Sequence, residues 1–190
     1  MEIEFCSGAV LAGGFSSRMG TDKAALPFGG TTLLEHQVRK LRALGITDIM
    51  VSGSELSAGG ARFVADVFPH RGPLSGIHAC LRAARNEHVL FLCVDVPLVP
   101  PAALRALIRR HEGGITVLSH GETVEPLIGM YERNAAAPAE ELLQTKNTAV
   151  RRLLEQADTR TVEFRGDPAL LMNCNTPDSY SYLIKRRPSG

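Results

Sequence analysis

Apolar residues along the chain recur at two periods, and the two alternate. The segment Phe5-Cys-Ser-Gly-Ala-Val-Leu11 is short and built of apolar and small residues, the pattern of a first strand. Residues 33–44 carry Leu34, Val38, Leu41 and Leu44 at the spacing of one helix face. A second strand is predicted over 48–52 and a short third over 62–66. Residues 75–85 return to the helical pattern. Residues 89–94 are apolar without alternation, which fits a parallel strand covered on both faces. Pro100-Pro101 opens a helix through residue 110, since proline suits a first helical turn. Residues 115–118 and 124–131 flank His120-Gly121-Glu122 and read as a hairpin. Helices are predicted over 135–143 and 149–156, and a strand over 161–164. Thr176 and Pro177 form a helix start, as N-cap and first helical residue, and residues 185–190 read as a polar tail. The chain shows no internal repeat. This alternation predicts one α/β domain over 1–190, a doubly wound, mostly parallel sheet with helices on both faces. In such sheets ligands sit outside the carboxyl ends of the strands.

Composition narrows the class. A chain of 190 residues buries about 70% of its extended surface and needs no staple to fold. Lys and Arg number 21 against 20 Asp and Glu, so the basic excess of general nucleic-acid binders is missing. Tryptophan is absent and aromatics are 5%, which disfavours a base-stacking surface for RNA. The longest apolar run falls far short of the roughly 18 residues of a membrane span. The opening residues, MEIEFCSG, are acidic and lack the apolar core of an export signal. Cys6, Cys80, Cys93 and Cys174 form no CxxC pair, so they read as buried apolar fillers in a reducing cytoplasm rather than zinc ligands or a disulfide framework.

The candidate chemistry lies at the predicted strand ends. Leu11-Ala12-Gly13-Gly14-Phe-Ser-Ser-Arg18-Met-Gly-Thr-Asp-Lys23 follows the first strand. Gly13 and Gly14 allow backbone N–H groups to approach a ligand, Ser16 and Ser17 add hydroxyls, and Arg18 and Lys23 add positive charge. Such a cluster suits a polyphosphate. The plainer reading is a glycine turn with solvated charges. Neither the GxxxxGK[ST] loop nor the GxGxxG fingerprint is present, which counts against an NAD-binding domain. Gly72-Pro-Leu-Ser-Gly76 is a rigid turn into a helix, with Asp66 upstream. Asp66 is either a strand-end cap or a ligand contact. Cys93-Val-Asp95-Val-Pro97 ends the most apolar strand. An acid there is costly unless paired or metal-bound, so Asp95 reads as a magnesium ligand, with a helix N-cap as the alternative. Asn173-Cys-Asn175-Thr-Pro places two amides before the last helix, where they either cap it or meet a ligand.

L-A-G-G-x-S-x-R-M-G-x-D-K resembles the signature loop of the nucleotidyltransferases with a dinucleotide-binding-like fold, the architecture of the nucleotide-diphospho-sugar transferases. It most resembles that of the molybdenum cofactor guanylyltransferases. G-P-L-x-G, the acid of Asp95-x-Pro97 and N-x-N-T-P continue the resemblance in order, from Gly8 to about Leu183. The resemblance implies transfer of GMP from GTP to the terminal phosphate of molybdopterin, with release of pyrophosphate. It implies catalytic roles for Arg18, Lys23 and Asp95 and a Mg²⁺ ion on Asp95. Nucleotide contacts fall on Leu11, Ala12, Gly13, Gly14, Lys23, Ser52, Asp66, Gly76 and Asp95. Asp66 is the implied guanine contact, and Asn173 and Asn175 the implied acceptor contacts. Residues 119–126, with His120, Glu125 and Pro126, face the acceptor by position only. Implied partners are the two small-molecule substrates and, transiently, molybdoenzymes or their chaperones. Ser52 departs from the pattern, since relatives often place an asparagine there. A cytidylyltransferase for the same pterin, a sugar-phosphate nucleotidyltransferase and a catalytically silent nucleotide-binding adaptor are the competing readings. Gly13-Gly14 and Asp66 favour guanine, and the intact Arg18, Lys23 and Asp95 favour an enzyme.

Overall fold

In a computed structural model of the chain, residues 6–13, 22–56 and 58–186 are described. Strand β1 (Cys6–Leu11) is buried throughout and leads, through a 3-10 turn at Lys23–Ala25, to the small β2 (Pro27–Phe28) and β3 (Thr31–Thr32). Helix α1 (Leu33–Ala43), β4 (Asp48–Ser52), β5 (Arg62–Phe63), α2 (Pro73–Ala83), β6 (His88–Cys93) and α3 (Pro101–Arg110) follow. The second half holds β7 (Ile115–His120), β8 (Thr123–Glu132), α4 (Ala136–Leu143), α5 (Val150–Gln156), β9 (Thr159–Glu163) and α6 (Pro177–Arg186). The strands form a seven-stranded sheet in the order β5-β4-β1-β6-β8-β7-β9, in which only β8 runs against its neighbours. The doubly wound α/β class is therefore observed.

Two apolar layers sandwich the sheet. α1, α3 and α6 bury Leu34, Val38, Leu104, Leu107 and Leu183 on the face presenting Val10, Val51 and Leu92. α2, α4 and α5 bury Ile77, Leu81, Ala139 and Leu153 on the face presenting Ala9, Leu11, Met50 and Phe91. Alternate residues of β1 thus serve opposite layers, which is why the strand reads as continuously apolar. α1 lies very close to β1, because a side chain at Gly8 would meet Leu41 Cδ1 at 2.9 Å.

Element boundaries shift where local chemistry outweighs periodicity. β5 covers only Arg62–Phe63, shorter than the predicted 62–66, since Ala65 and Asp66 turn away into the next loop. α2 starts at Pro73, because Gly72 at φ +70° breaks the extended chain and proline fits the first turn. β7 and β8 extend to the two-residue turn at Gly121-Glu122, with Gly121 at φ +55°. β9 begins two residues earlier than its apolar pattern, at Thr159, where it pairs with Ile115 at the sheet edge. The β2–β3 hairpin was not predicted from the periodicity, as two-residue strands carry none. Its signal is Gly29-Gly30, both at positive φ. Thr176 Oγ1 accepts from Ser179 N at 3.2 Å, as an N-cap does. All four cysteines are buried and none is in a disulfide among the described residues. No helix of the described residues is long and apolar enough to cross a membrane.

At the amino end of β6, His88 Nδ1 lies 3.1 Å from His111 Nε2, and His111 Nδ1 lies 3.0 Å from Thr116 Oγ1. Burial, reinforced by His88, pushes the His111 imidazole down to about 4. The fold thus favours the neutral ring, while the unfolded chain takes up a proton near pH 6.5. The stability this provides is complete above about pH 6.5 and is lost as pH falls from there to about 4. Urea unfolding is expected to show a loss on the order of 2 kcal/mol across that window, with a smaller slope in His111→Asn.

Candidate functional site

The site follows from a register. Leu11 pairs with both Ser52 of β4 and Cys93 of β6, so three neighbouring strands end level. Past Leu11 the chain is held from both sides, by Ala12 N donating to Ser52 O at 2.8 Å and Val94 N donating to Leu11 O at 3.0 Å. Chain order reverses here: from β1 the sheet grows one way through β4 and β5, then the other through β6. Such a switch point leaves a crevice above the strand ends.

A cavity of about 800 Å³ occupies the β4–β5 side. Its lining includes Leu11, Gly13, Ser52, Asp66, Phe63 and Gly76. Two close approaches shape it. Gly53, at φ +85°, packs on Gly13 so tightly that a Cβ on Gly53 would overlap Gly13 N and Cα. A Cβ on Gly76 would stand 2.6 Å from Ser52 Oγ. That space leaves the Ser52 hydroxyl free to donate to Asp66 Oδ1 at 2.6 Å. Asp66 is half-buried, with its carboxylate fixed by a charge-assisted bond on the cavity wall.

The β6 side holds the charge. Lys23 Nζ lies 3.1 Å from Asp95 Oδ1 and 2.7 Å from Asn175 Oδ1. The Lys23 side chain is 14% exposed and that of Asp95 30%, so the pair is partly screened from water. Asp22 sets the Lys23 backbone, its Oδ1 accepting from Ala24 N at 3.0 Å. Asn175 arrives because Cys174 N donates to Asp95 O at 2.7 Å, which ties the segment before α6 to the turn after β6. Two hard oxygens, from Asp95 and Asn175, thus converge on one cation. That donor set fits a small divalent ion such as Mg²⁺ that keeps waters and takes substrate phosphates. No cluster of three or more His, Cys, Asp or Glu with metal-binding geometry occurs among the described residues.

The residues singled out in the sequence thus divide. Leu11, Gly13, Ser52, Asp66 and Gly76 line one cavity, and Ala12 is buried beneath it. Lys23, Asp95 and Asn175 form one polar cluster. Asn173 is exposed and has no side-chain hydrogen bond among the described residues. Gly14, Ser16, Ser17 and Arg18 lie outside the described residues. His120 Nε2 pairs with Glu125 Oε1 at 3.2 Å near the β7–β8 turn. Sequence reasoning missed Gly53, Ser54 and His70 on the cavity wall. Gly53 had a signal, since it follows the second strand as Gly13 follows the first, one residue nearer.

The family model described as MobA-like NTP transferase domain matches residues 8–162. A probable molybdenum cofactor guanylyltransferase of Carboxydothermus hydrogenoformans is 35% identical, over 93% of this chain and 94% of its own. The molybdenum cofactor guanylyltransferase of Xanthomonas euvesicatoria is 33% identical, over 96% of each chain. In fold, the chain resembles the crystal structure of molybdopterin-guanine dinucleotide biosynthesis protein A from Archaeoglobus fulgidus. The TM-score is 0.79 at 23% identity, covering 94% of this chain and 97% of that one.

The contact between Gly53 and Gly13 gives a test independent of activity. Gly53→Ala adds a methyl group against backbone and at a left-handed φ. It is expected to destabilise the fold by about 2 kcal/mol or more in urea unfolding.

Proposed function

The chain belongs to the MobA-like NTP transferase family, and from that premise we propose that it is a molybdenum cofactor guanylyltransferase acting in the cytoplasm as a single domain over residues 1–190. The observation that carries the reading is the split crevice. One side has a cavity with a fixed carboxylate on its wall, and the other has Lys23 shared by Asp95 and Asn175. The relatives named for this activity, matched over nearly their full length, support it.

The proposed reaction is direct nucleotidyl transfer. A terminal phosphate oxygen of molybdopterin attacks the α-phosphorus of GTP. The new P–O bond forms as the α–β bridging bond breaks, and pyrophosphate leaves with that electron pair. The nucleophile is already an anion, so no covalent enzyme intermediate and no general base are required. The protein aligns the two phosphates and offsets their charge. Lys23 and Arg18 hold the triphosphate, with Lys23 released from Asp95 towards the phosphates. The loop from Leu11 to Gly14 offers backbone groups to base and phosphate. Asp66 accepts from N1–H and N2–H of guanine, a donor pair adenine lacks, and Ser52 and Gly76 complete that wall. Asp95 and Asn175 would hold the divalent cation, proposed as Mg²⁺. When bound, that ion supplies charge neutralisation across the phosphate oxygens. Asn173 and Asn175 meet the acceptor, and the product passes to molybdoenzymes or their chaperones by transient contact.

A thermal-shift panel of GTP, CTP, ATP and UTP, with and without Mg²⁺, tests the reading, since a ligand of the folded state stabilises it by mass action. A shift specific to GTP is expected, and Asp66→Ala should erase the preference for GTP. A shift specific to CTP would instead identify a cytidylyltransferase. Asp95→Ala is expected to lower turnover on the order of a hundredfold or more, as removal of one electrostatic contributor does elsewhere. Near-normal turnover at saturating Mg²⁺ would remove Asp95 from the mechanism.

A further inference from the structure

Helix α1 turns two buried polar side chains, Gln37 and Lys40, and the half-buried His36 towards the same turn. Gln37 Nε2 donates to Cys93 O at 2.7 Å and to Val96 O at 3.0 Å. Lys40 Nζ donates to Pro97 O at 2.8 Å. His36 Nε2 lies 3.0 Å from that same carbonyl. Gln37 is wholly buried and Lys40 is 8% exposed. Lys40 has no carboxylate within ion-pair distance among the described residues, and burial pushes its amine down to about 7.

These are costly choices for a core-facing helix. A buried amine or amide carries a desolvation penalty that a Leu or Met would not. Gln37 even leaves Oε1 without a partner among the described residues, so its amide is kept for the sake of its nitrogen. What the three groups share is Cys93 to Pro97, the turn that carries Asp95. The rest of that turn is also tied down. Val94 N donates to Leu11 O, and Asp95 O accepts from Cys174 N. α1 takes three further carbonyls of the turn, those of Cys93, Val96 and Pro97. The close packing of α1 at Gly8 brings the helix within reach.

We propose that His36, Gln37 and Lys40 are positioning residues that hold the Cys93–Pro97 turn so that the Asp95 carboxylate faces Lys23 and Asn175, and thereby set the affinity of the site for a divalent cation in the presence of nucleotide. The proposal rests on the reading of Asp95 given above. It separates these residues from ordinary core. Val38, fully buried on the same helix, packs in the apolar layer and touches no carbonyl of the turn by a polar group.

The experiment uses Mn²⁺ as the probe, titrated by electron paramagnetic resonance into the intact protein with GTP. Lys40→Met and His36→Leu are compared with Val38→Ala, which lowers stability and removes no hydrogen bond to the turn. The two positioning variants are expected to weaken Mn²⁺ binding by about tenfold relative to Val38→Ala, the effect typical of groups that orient a metal ligand. Their GTP affinity measured in EDTA should stay within about twofold of wild type, since the contacts they lose act through Asp95. His36 is only half-buried, so His36→Leu keeps the test open if Lys40→Met does not fold. Mn²⁺ affinities equal to that of Val38→Ala would overturn the proposal while leaving the nucleotide reading intact. A wild-type protein that takes up no Mn²⁺ with GTP would overturn both.

Discussion

Leu11 stands in register between Ser52 and Cys93, and the crevice above the sheet depends on that alignment. Three parallel strands that stop together leave their following loops at one height. Each loop then meets its neighbour through backbone: Ala12 to Ser52, Val94 to Leu11. Gly13 and Gly53 can lie in contact only because neither has a side chain. A one-residue slip in any of the three strands would exchange its two buried faces and separate these loops. Because both faces are packed, the core enforces the register, and the register places the site.

The charges at the top of the sheet follow from the same constraint. Asp95 sits just past the end of a strand buried from Val89 to Cys93, where an unpaired carboxylate would be expensive. Lys23 and Asn175 come from opposite ends of the sequence to meet there. The ion pair is partly exposed, so its net stabilisation is small. Its effect is geometric, because it keeps an ammonium and a carboxylate side by side above the strand ends, as the proposed phosphate and cation chemistry requires. On the other side of Gly13, Ser52 fixes Asp66 by the same logic at shorter range.

The fold and much of the site were legible in the sequence for physical reasons. Strands β1, β4 and β6 are buried on both faces, so their apolar runs are unmistakable. Gly13 and Asp95 are legible because a glycine turn after a strand and an acid beside a buried strand are costly without a use, whereas Asp66 and Asn175 stand out only through the resemblance. What was not legible is pairing across distance. Nothing in the sequence links Ser52 to Asp66 or Lys23 to Asn175, since side-chain hydrogen bonds leave no periodic trace. The β2–β3 hairpin is too short to show alternation. The early start of β9 reflects pairing with β7 rather than its own pattern. The polar residues of α1 were hidden for the opposite reason. The helix pattern of Leu34, Val38 and Leu41 is strong enough to be read without asking where Gln37 and Lys40 point.

That last case explains how the two sides of the crevice differ. The cavity side is shaped by the absence of atoms, at Gly13, Gly53 and Gly76, which leaves room and exposes backbone. The charged side is shaped by an excess of polar contacts onto one turn, from α1, from β1 and from the segment before α6. Space tolerates a ligand of varied shape, whereas a turn held from three directions tolerates little movement of its carboxylate. On the proposed reading, a single substitution on the cavity wall can change which base is selected. The position of Asp95 cannot, because displacing it would strand several buried carbonyls at once, each costing on the order of 1–3 kcal/mol.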